Sequence, residues 1–283
     1  MFVIASFACL SAQDDFAHIN GIWVGAGPNR GGFEFGESNR VAFTSAVSRN
    51  GIWVVPSKSG IYRIDLEYNV PFLIIYWDDG TSERYLMLIN ERFMVLYNNN
   101  TEPVFFLHRP WIFGRGNSMG GMVSFSLIES VTASSSLVHG GIHFAATRER
   151  LGTHINRVWA VEGGIGERLF ARVSPVCNYL YISIGYVHFT RPYLFKANSR
   201  PKRIRISNAH DETRFFELEL ADTPNYQRIS GLRGGILEFT EVMRYGVLMT
   251  TQDIIIEILE VRPGFRYNHM CINSLMNFSI WTP

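Results

Sequence analysis

Several side chains in the C-terminal half are of types that do recognition chemistry, and they stand in stretches punctuated by glycine or proline rather than inside alternating runs. They are Trp159, Glu162, Tyr186, Tyr193, Asn198, Arg200 and Tyr267. Flat aromatic faces pack on the C–H faces of a sugar ring, while planar amides, carboxylates and guanidinium groups match pairs of hydroxyls. The glycines of Gly163-Gly-Ile-Gly166 allow positive φ in a tight turn, which could fold Trp159 and Glu162 over a concave surface. Trp159 is equally suited to plugging a core, and an Arg200 buried against Glu162 would be an internal strut rather than a ligand contact.

Other chemistries find less support. His139-Gly-Gly-Ile-His143 is the closest pair among the eight histidines, but a metal centre needs further ligands, so no metal is expected. Gly163-Gly-Ile-Gly166 and Gly25-Ala-Gly27 look like phosphate loops, yet neither opens a helix after a strand. No His-Glu-x-x-His run is present. The expectation is a binding protein with no cofactor, not an enzyme. Beyond Cys9 only Cys177 and Cys271 occur, in no Cys-x-x-Cys arrangement, so they form either one disulfide or two buried thiols.

The elements that must position these residues are strands. At 283 residues, with 47% hydrophobic and 18% charged side chains, the chain has the composition of a folded protein of about two domains. Net charge is +1, with 9 basic and 12 acidic residues up to Ser130 and 17 basic and 13 acidic beyond it. That asymmetry weakly suits an anionic glycan and falls short of the basic stripe of a nucleic-acid binder. Gly51 to Val55, Gly60 to Tyr68, Pro71 to Trp77, Tyr85 to Ile89 and Arg92 to Tyr97 read as short strands, with a hairpin turn at Asp78-Asp-Gly-Thr81. A small antiparallel barrel or sandwich over residues 18–108 is the expectation. Asn20-Gly-Ile-Trp23 and Ser59-Gly-Ile-Tyr62 resemble the opening of lipocalin-like barrels. The Gly-rich stretch around Gly114 to Gly121 marks a linker over 109–128, and residues 129–283 form a second all-β domain. Its strands are expected at Asn178 to Ile184, Lys202 to Ile206, Thr213 to Leu220 and Asp253 to Val261.

Residues 1–12 are apolar and end in small residues, like the tail of a secretory leader. Cleavage after Ala12 and lipidation at Cys9 of a relaxed lipobox are both open, as is a buried strand. No other apolar run approaches the ~20 residues of a membrane helix, so membrane contact is expected only through a lipid anchor.

Four strings of the second half occur in one order over about 150 residues. They are Val131-Thr-Ala-Ser-Ser-Ser-Leu137, Trp159-Ala-Val-Glu-Gly-Gly-Ile-Gly-Glu167, Ile184-Gly-Tyr186 with Tyr193 to Ile206, and Glu260 to Asn273. Together they resemble the NADase-type glycan-binding domain, a discoidin-like (F5/8 type C) family. That resemblance implies a jelly-roll β-sandwich that binds carbohydrate through its loops, at Trp159, Glu162, Tyr186, Tyr193, Asn198, Arg200 and Tyr267. Where the family has an Asp-Gly-Asp-like turn this chain reads Gly152-Thr-His-Ile-Asn156-Arg157, which removes oxygen ligands for a calcium-type ion. The functions expected are an exported carbohydrate-binding or adhesion protein acting on a host or envelope surface, or a periplasmic carrier whose barrel holds a small apolar ligand.

Overall fold

The computed structural model describes residues 14–25, 31–44, 57–99, 102–109, 122–124, 128–173, 179–230, 232, 236 and 252–281. The described residues are almost entirely β. The first half is a closed barrel of eight antiparallel strands in sequence order: β1 (Gly21–Gly25), β2 (Gly32–Phe35), β3 (Arg40–Thr44), β4 (Lys58–Glu67), β5 (Val70–Trp77), β6 (Ser82–Ile89), β7 (Phe93–Tyr97) and β8 (Pro103–His108). Pairing of Val24 with His108 and Gly25 with Leu107 closes it, so no edge is left open. Tyr68 and Asn69, with φ of 54° and 68°, turn β4 into β5 as a two-residue loop whose twist matches the strands. The expected turn at 78–81 is present: the Asp79 carboxylate accepts from the Thr81 N–H at 2.9 Å. Gly51 to Val55, the leader with Cys9, and Cys177 lie outside the described residues.

The second half is a β-sandwich. One sheet has the order β10 (Ser130–Ala133), β14 (Arg168–Val173), β19 (Gln252–Arg262), β16 (Arg200–Asn208) and β17 (Phe215–Glu219). The other has β13 (Trp159–Glu162), β20 (His269–Trp281), β15 (Tyr179–Ile184) and β18 (Gln227–Ile229), with β9 (Met122–Ser124) also pairing to β20. A small hairpin, β11 (Val138–His139) and β12 (Ile142–His143), stands apart, and one helical turn, α1 (Leu194–Ala197), precedes β16. Residues 122–124, inside the expected linker, are thus a strand of the sandwich.

Alternation along β5 to β8 serves two cores at once. Leu73, Ile75, Met87, Ile89, Met94, Leu96 and Leu107 point into the barrel with Trp23, Phe33 and Phe35. Their sequence neighbours Phe72, Leu86, Leu88, Phe93, Val95, Tyr97 and Phe106 belong instead to the apolar cluster of the sandwich. Strands buried on both faces read as unbroken apolar runs, and β7 is buried at every position. Phe93 meets Tyr181 edge-on and Tyr226 at a tilt, each with ring centroids 5.0 Å apart, and Phe72 meets Phe189 at 5.6 Å. The Tyr97 hydroxyl donates to the Thr153 carbonyl at 2.6 Å. Barrel and sandwich therefore share one continuous apolar interior.

Candidate functional site

Three of the candidate side chains are frame. Trp159 lies at the start of β13 with 0% of its surface exposed, and its Nε1 donates to the Ser135 carbonyl at 2.9 Å. Asn198 and Arg200 are each 4% exposed. Arg200 donates Nε to Asp222 Oδ1 at 2.7 Å and Nη1 to the carbonyls of Phe195 at 3.0 Å and Asn198 at 2.6 Å, while Asn198 Nδ2 donates to the Leu194 carbonyl at 2.9 Å. The strut expected between Arg200 and Glu162 is therefore made with Asp222 instead. Lys196 completes it through Asp222 Oδ2 at 2.5 Å. Burial alone would raise the Asp222 pKa, but the hydrogen bonds and charges of Lys196 and Arg200 outweigh it and hold the carboxyl below its ordinary range.

This strut supports the loop that follows β19. Ala197 O accepts from the amides of Arg266 at 3.2 Å and Tyr267 at 2.8 Å, and Ser199 Oγ accepts from the Gly264 amide at 3.1 Å. A Cβ at Gly264 would lie 2.3 Å from Ala197 O, so the close approach requires glycine. The turn after β13 is tied to the same loop, with the Gly163 amide donating to Asn268 O at 2.9 Å. Gly164 has φ of +93° and backs onto Met270, where a Cβ would meet the side chain at 2.5 Å.

On this frame stands a contiguous polar and aromatic row. The Arg266 guanidinium lies 5.1 Å from the centroid of the Tyr267 ring, Tyr267 is parallel to His269 with centroids 5.8 Å apart, and His269 meets His139 of the hairpin at 5.6 Å. Glu162 is exposed and is the cross-strand partner of His269. Of the candidates, only Glu162 and Tyr267 therefore belong to this row. Tyr186 is partly buried between Phe144 at 6.5 Å and His188 at 6.3 Å, and burial pushes its hydroxyl pKa up. Tyr193 stands at the other junction, 6.2 Å from Tyr68 of the barrel. His269 and Arg266 were missed because single polar residues carry no spacing. The detectable signal was Tyr267 and His269 two apart at a strand entry, which puts both rings on one face.

Elsewhere the described residues offer less. His143 Nε2 lies 2.5 Å from Ser136 Oγ, and no group of three metal-binding side chains occurs among the described residues. Cys271 is a free, buried thiol that burial pushes up to about 12, too high to be reactive at neutral pH. Gly116-Asn-Ser118-Met-Gly120 has the spacing of a Gly-x-Ser-x-Gly elbow but lies outside the described residues. Within the barrel, among the described residues, Phe33 is in ring contact with Phe35 at 5.8 Å, Phe43 at 5.0 Å and Phe105 at 5.1 Å.

The outer face of the five-stranded sheet that holds Arg200 is electrostatically self-satisfied. Arg168, Glu257, Arg205 and Glu217 stand opposite one another across β14, β19, β16 and β17, with contacts of 3.7, 3.5 and 2.8 Å. Arg203 also pairs with Glu260 at 2.7 Å, and Lys202 with the same carboxylate at 2.9 Å. The basic run Lys202-Arg-Ile-Arg205 therefore presents paired charges. No protein-family model matches the chain, and no curated protein matches it significantly.

Proposed function

We propose that the chain is an exported carbohydrate-binding protein whose ligand docks at the loop end of the sandwich, on Arg266, Tyr267, His269, His139 and Glu162. The observation that carries this reading is the contact sequence guanidinium, phenol, imidazole, imidazole, with a carboxylate across the strand from His269. Such a row supplies flat faces for sugar C–H surfaces together with donors and acceptors for hydroxyls. Support comes also from the frame beneath, because rigid loops lose little freedom on binding. Trp159, Asn198 and Arg200 act through that frame rather than by touching sugar. The resemblance of Trp159 to Glu167 and of Glu260 to Asn273 to glycan-binding discoidin-like domains points to the same loops. A host or envelope surface glycan is the partner class this implies. In the alternative reading, a small apolar molecule held by the barrel would lie against the clustered rings of Phe33, Phe35 and Phe105.

Glycan-array binding by the full-length chain tests the reading. Sugar binding is expected, with affinity reduced about tenfold or more in Tyr267→Ala and His269→Ala, a loss of about 1.4 kcal/mol. Tyr193→Ala, at the barrel junction, is expected to bind normally. Unaltered binding by the first two variants would move the site elsewhere, and the absence of any glycan ligand would sink the function.

A further inference from the structure

One end of the barrel is stoppered by a 3-10 turn, Asp14–Ile19, whose Phe16 and Ile19 are buried in the barrel's apolar cluster. Three contacts hold it. The Trp23 indole Nε1 donates to the Ile19 carbonyl at 2.6 Å, and the Arg109 guanidinium donates to the Asn20 carbonyl at 2.6 Å and to the His18 carbonyl. Arg109 comes from just beyond β8 and lies 4.0 Å over the Trp23 ring, so a single side chain joins the last strand, the first strand and the turn. Gly21, at φ of +106°, makes room for it, since a Cβ there would lie 2.7 Å from Arg109 Nη1.

We propose that this turn is an acid-released stopper of the barrel, with His18 as the group that releases it. The His18 ring is partly buried, and its Nε2 is buried without a hydrogen-bond partner. An imidazolium carries a proton on both nitrogens, so charging His18 necessarily places an N–H where no acceptor waits. It also places a second cation beside Arg109. From the β6–β7 turn, Glu91 is the carboxylate that favours the charge, but it is shared with Arg92 at 3.9 Å and Arg228 at 4.0 Å. From β8, the His108 ring bonds the Arg109 carbonyl at 3.0 Å, and from β4 the Tyr62 hydroxyl donates to Asn20 Oδ1 at 3.2 Å. The turn itself carries Asp14 and Asp15.

Burial first, and Arg109 second, lower the pKa of His18, and burial lowers that of His108. With the turn released, the His18 ring meets water and regains the ordinary histidine value of about 6.5. The released state therefore binds protons that the closed state refuses. Closure is fully stable above that value and weakens as pH falls below it, by at most about tenfold in the opening constant per pH unit.

Hydrogen exchange of the full chain, followed by mass spectrometry and corrected for intrinsic rates, tests the stopper. Protection of the peptide covering residues 14–20 should fall about tenfold between about pH 7 and about pH 5.5, while β16 and β19 keep theirs. In His18→Gln, neutral throughout, the fall should vanish. Equal protection of the wild-type turn at both pH values overturns the proposal, as does an undiminished fall in His18→Gln. Should His18→Gln leave the turn unprotected at both, the imidazole resonances of the wild type decide. A His18 ring that titrates together with the loss of protection supports the stopper, and one that titrates while the turn stays protected overturns it.

Discussion

Arg200 shows how a side chain with the right chemistry for a ligand can be committed to the fold. Its guanidinium is enclosed by Asp222 and by the carbonyls of Phe195 and Asn198, leaving 4% of the residue exposed. Removing one partner of such a pair strands the other, so Arg200→Ala is expected to destabilise the protein by about 3 kcal/mol or more. Sugar affinity per folded molecule should fall less than in Tyr267→Ala, because Arg200 acts only through the frame. Denaturant titration and glycan binding on the same sample separate the two effects. The pH dependence has a definite sign. Asp222 is held below its ordinary value, so its contribution is present above the unfolded carboxyl pKa of about 3.9 and is lost as pH falls through the lower folded value. The stability gap between wild type and Arg200→Ala should therefore narrow below about pH 4, and a gap that is constant from neutral to acid pH would show that the ion pair is not its source. The sequence exposed the residue type and the glycines and prolines around it. It could not reveal the partner, because Asp222 lies in an irregular segment whose approach to Arg200 is set by the tertiary fold.

At the level of elements, strands were legible wherever alternation or a turn signal was strong. Residues 60–68, 71–77, 85–89, 92–97, 178–184, 202–206, 213–220 and 253–261 all overlap observed strands. Short strands carried no such pattern: β1, β2, β3 and β18 are three to five residues long and were placed by pairing, not periodicity. The unbroken apolar run Phe93 to Tyr97 predicts a strand, and burial on both faces is the reason it does not alternate. The expected strands at 202–206, 213–220 and 253–261 do not reveal that their charges align with Arg168 as the row Arg168, Glu257, Arg205 and Glu217. That ladder is half-exposed, and exposed ion pairs contribute only about 0.2 to 1 kcal/mol each. Glu257→Gln, which removes the carboxylate between two arginines, should cost at most about 1 kcal/mol, and less at high salt. Urea titrations at low and high salt measure this. A loss of several kcal/mol would mean the ladder orders the sheet rather than decorating it.

On the scale of the whole molecule, a Gly-rich stretch between two strand-rich halves suggests two modules that fold alone, whereas the packing argues for one cooperative body. Phe72, Leu86, Leu88, Phe93, Val95, Tyr97 and Phe106 of the barrel share an apolar cluster with Tyr181, Tyr226 and Ile229 of the sandwich. Polar contacts reinforce it: Asn69 Nδ2 donates to Asp222 O at 3.3 Å, and the Ile89 amide donates to Asn225 Oδ1 at 3.2 Å. Asp222 thus belongs both to the Arg200 strut and to the contact with the barrel, which links the frame beneath the proposed binding row to the first half of the chain. Interfaces between loosely tethered domains are more polar and permit relative motion, whereas a hydrophobic one of this kind behaves as a core. Separating the halves would expose aromatic faces on both, so calorimetry of the intact chain should show a single transition rather than two. Phe93→Ala, at the centre of the shared cluster, should lower that single transition by removing about 3 to 5 kcal/mol. Cleavage within 109–121 is expected to leave both fragments associated through gel filtration, and the isolated 129–283 fragment to aggregate or unfold at a lower temperature. A 129–283 fragment that is monomeric and melts where the intact chain does would show that the shared cluster contributes little, and that the sandwich carries its own stability.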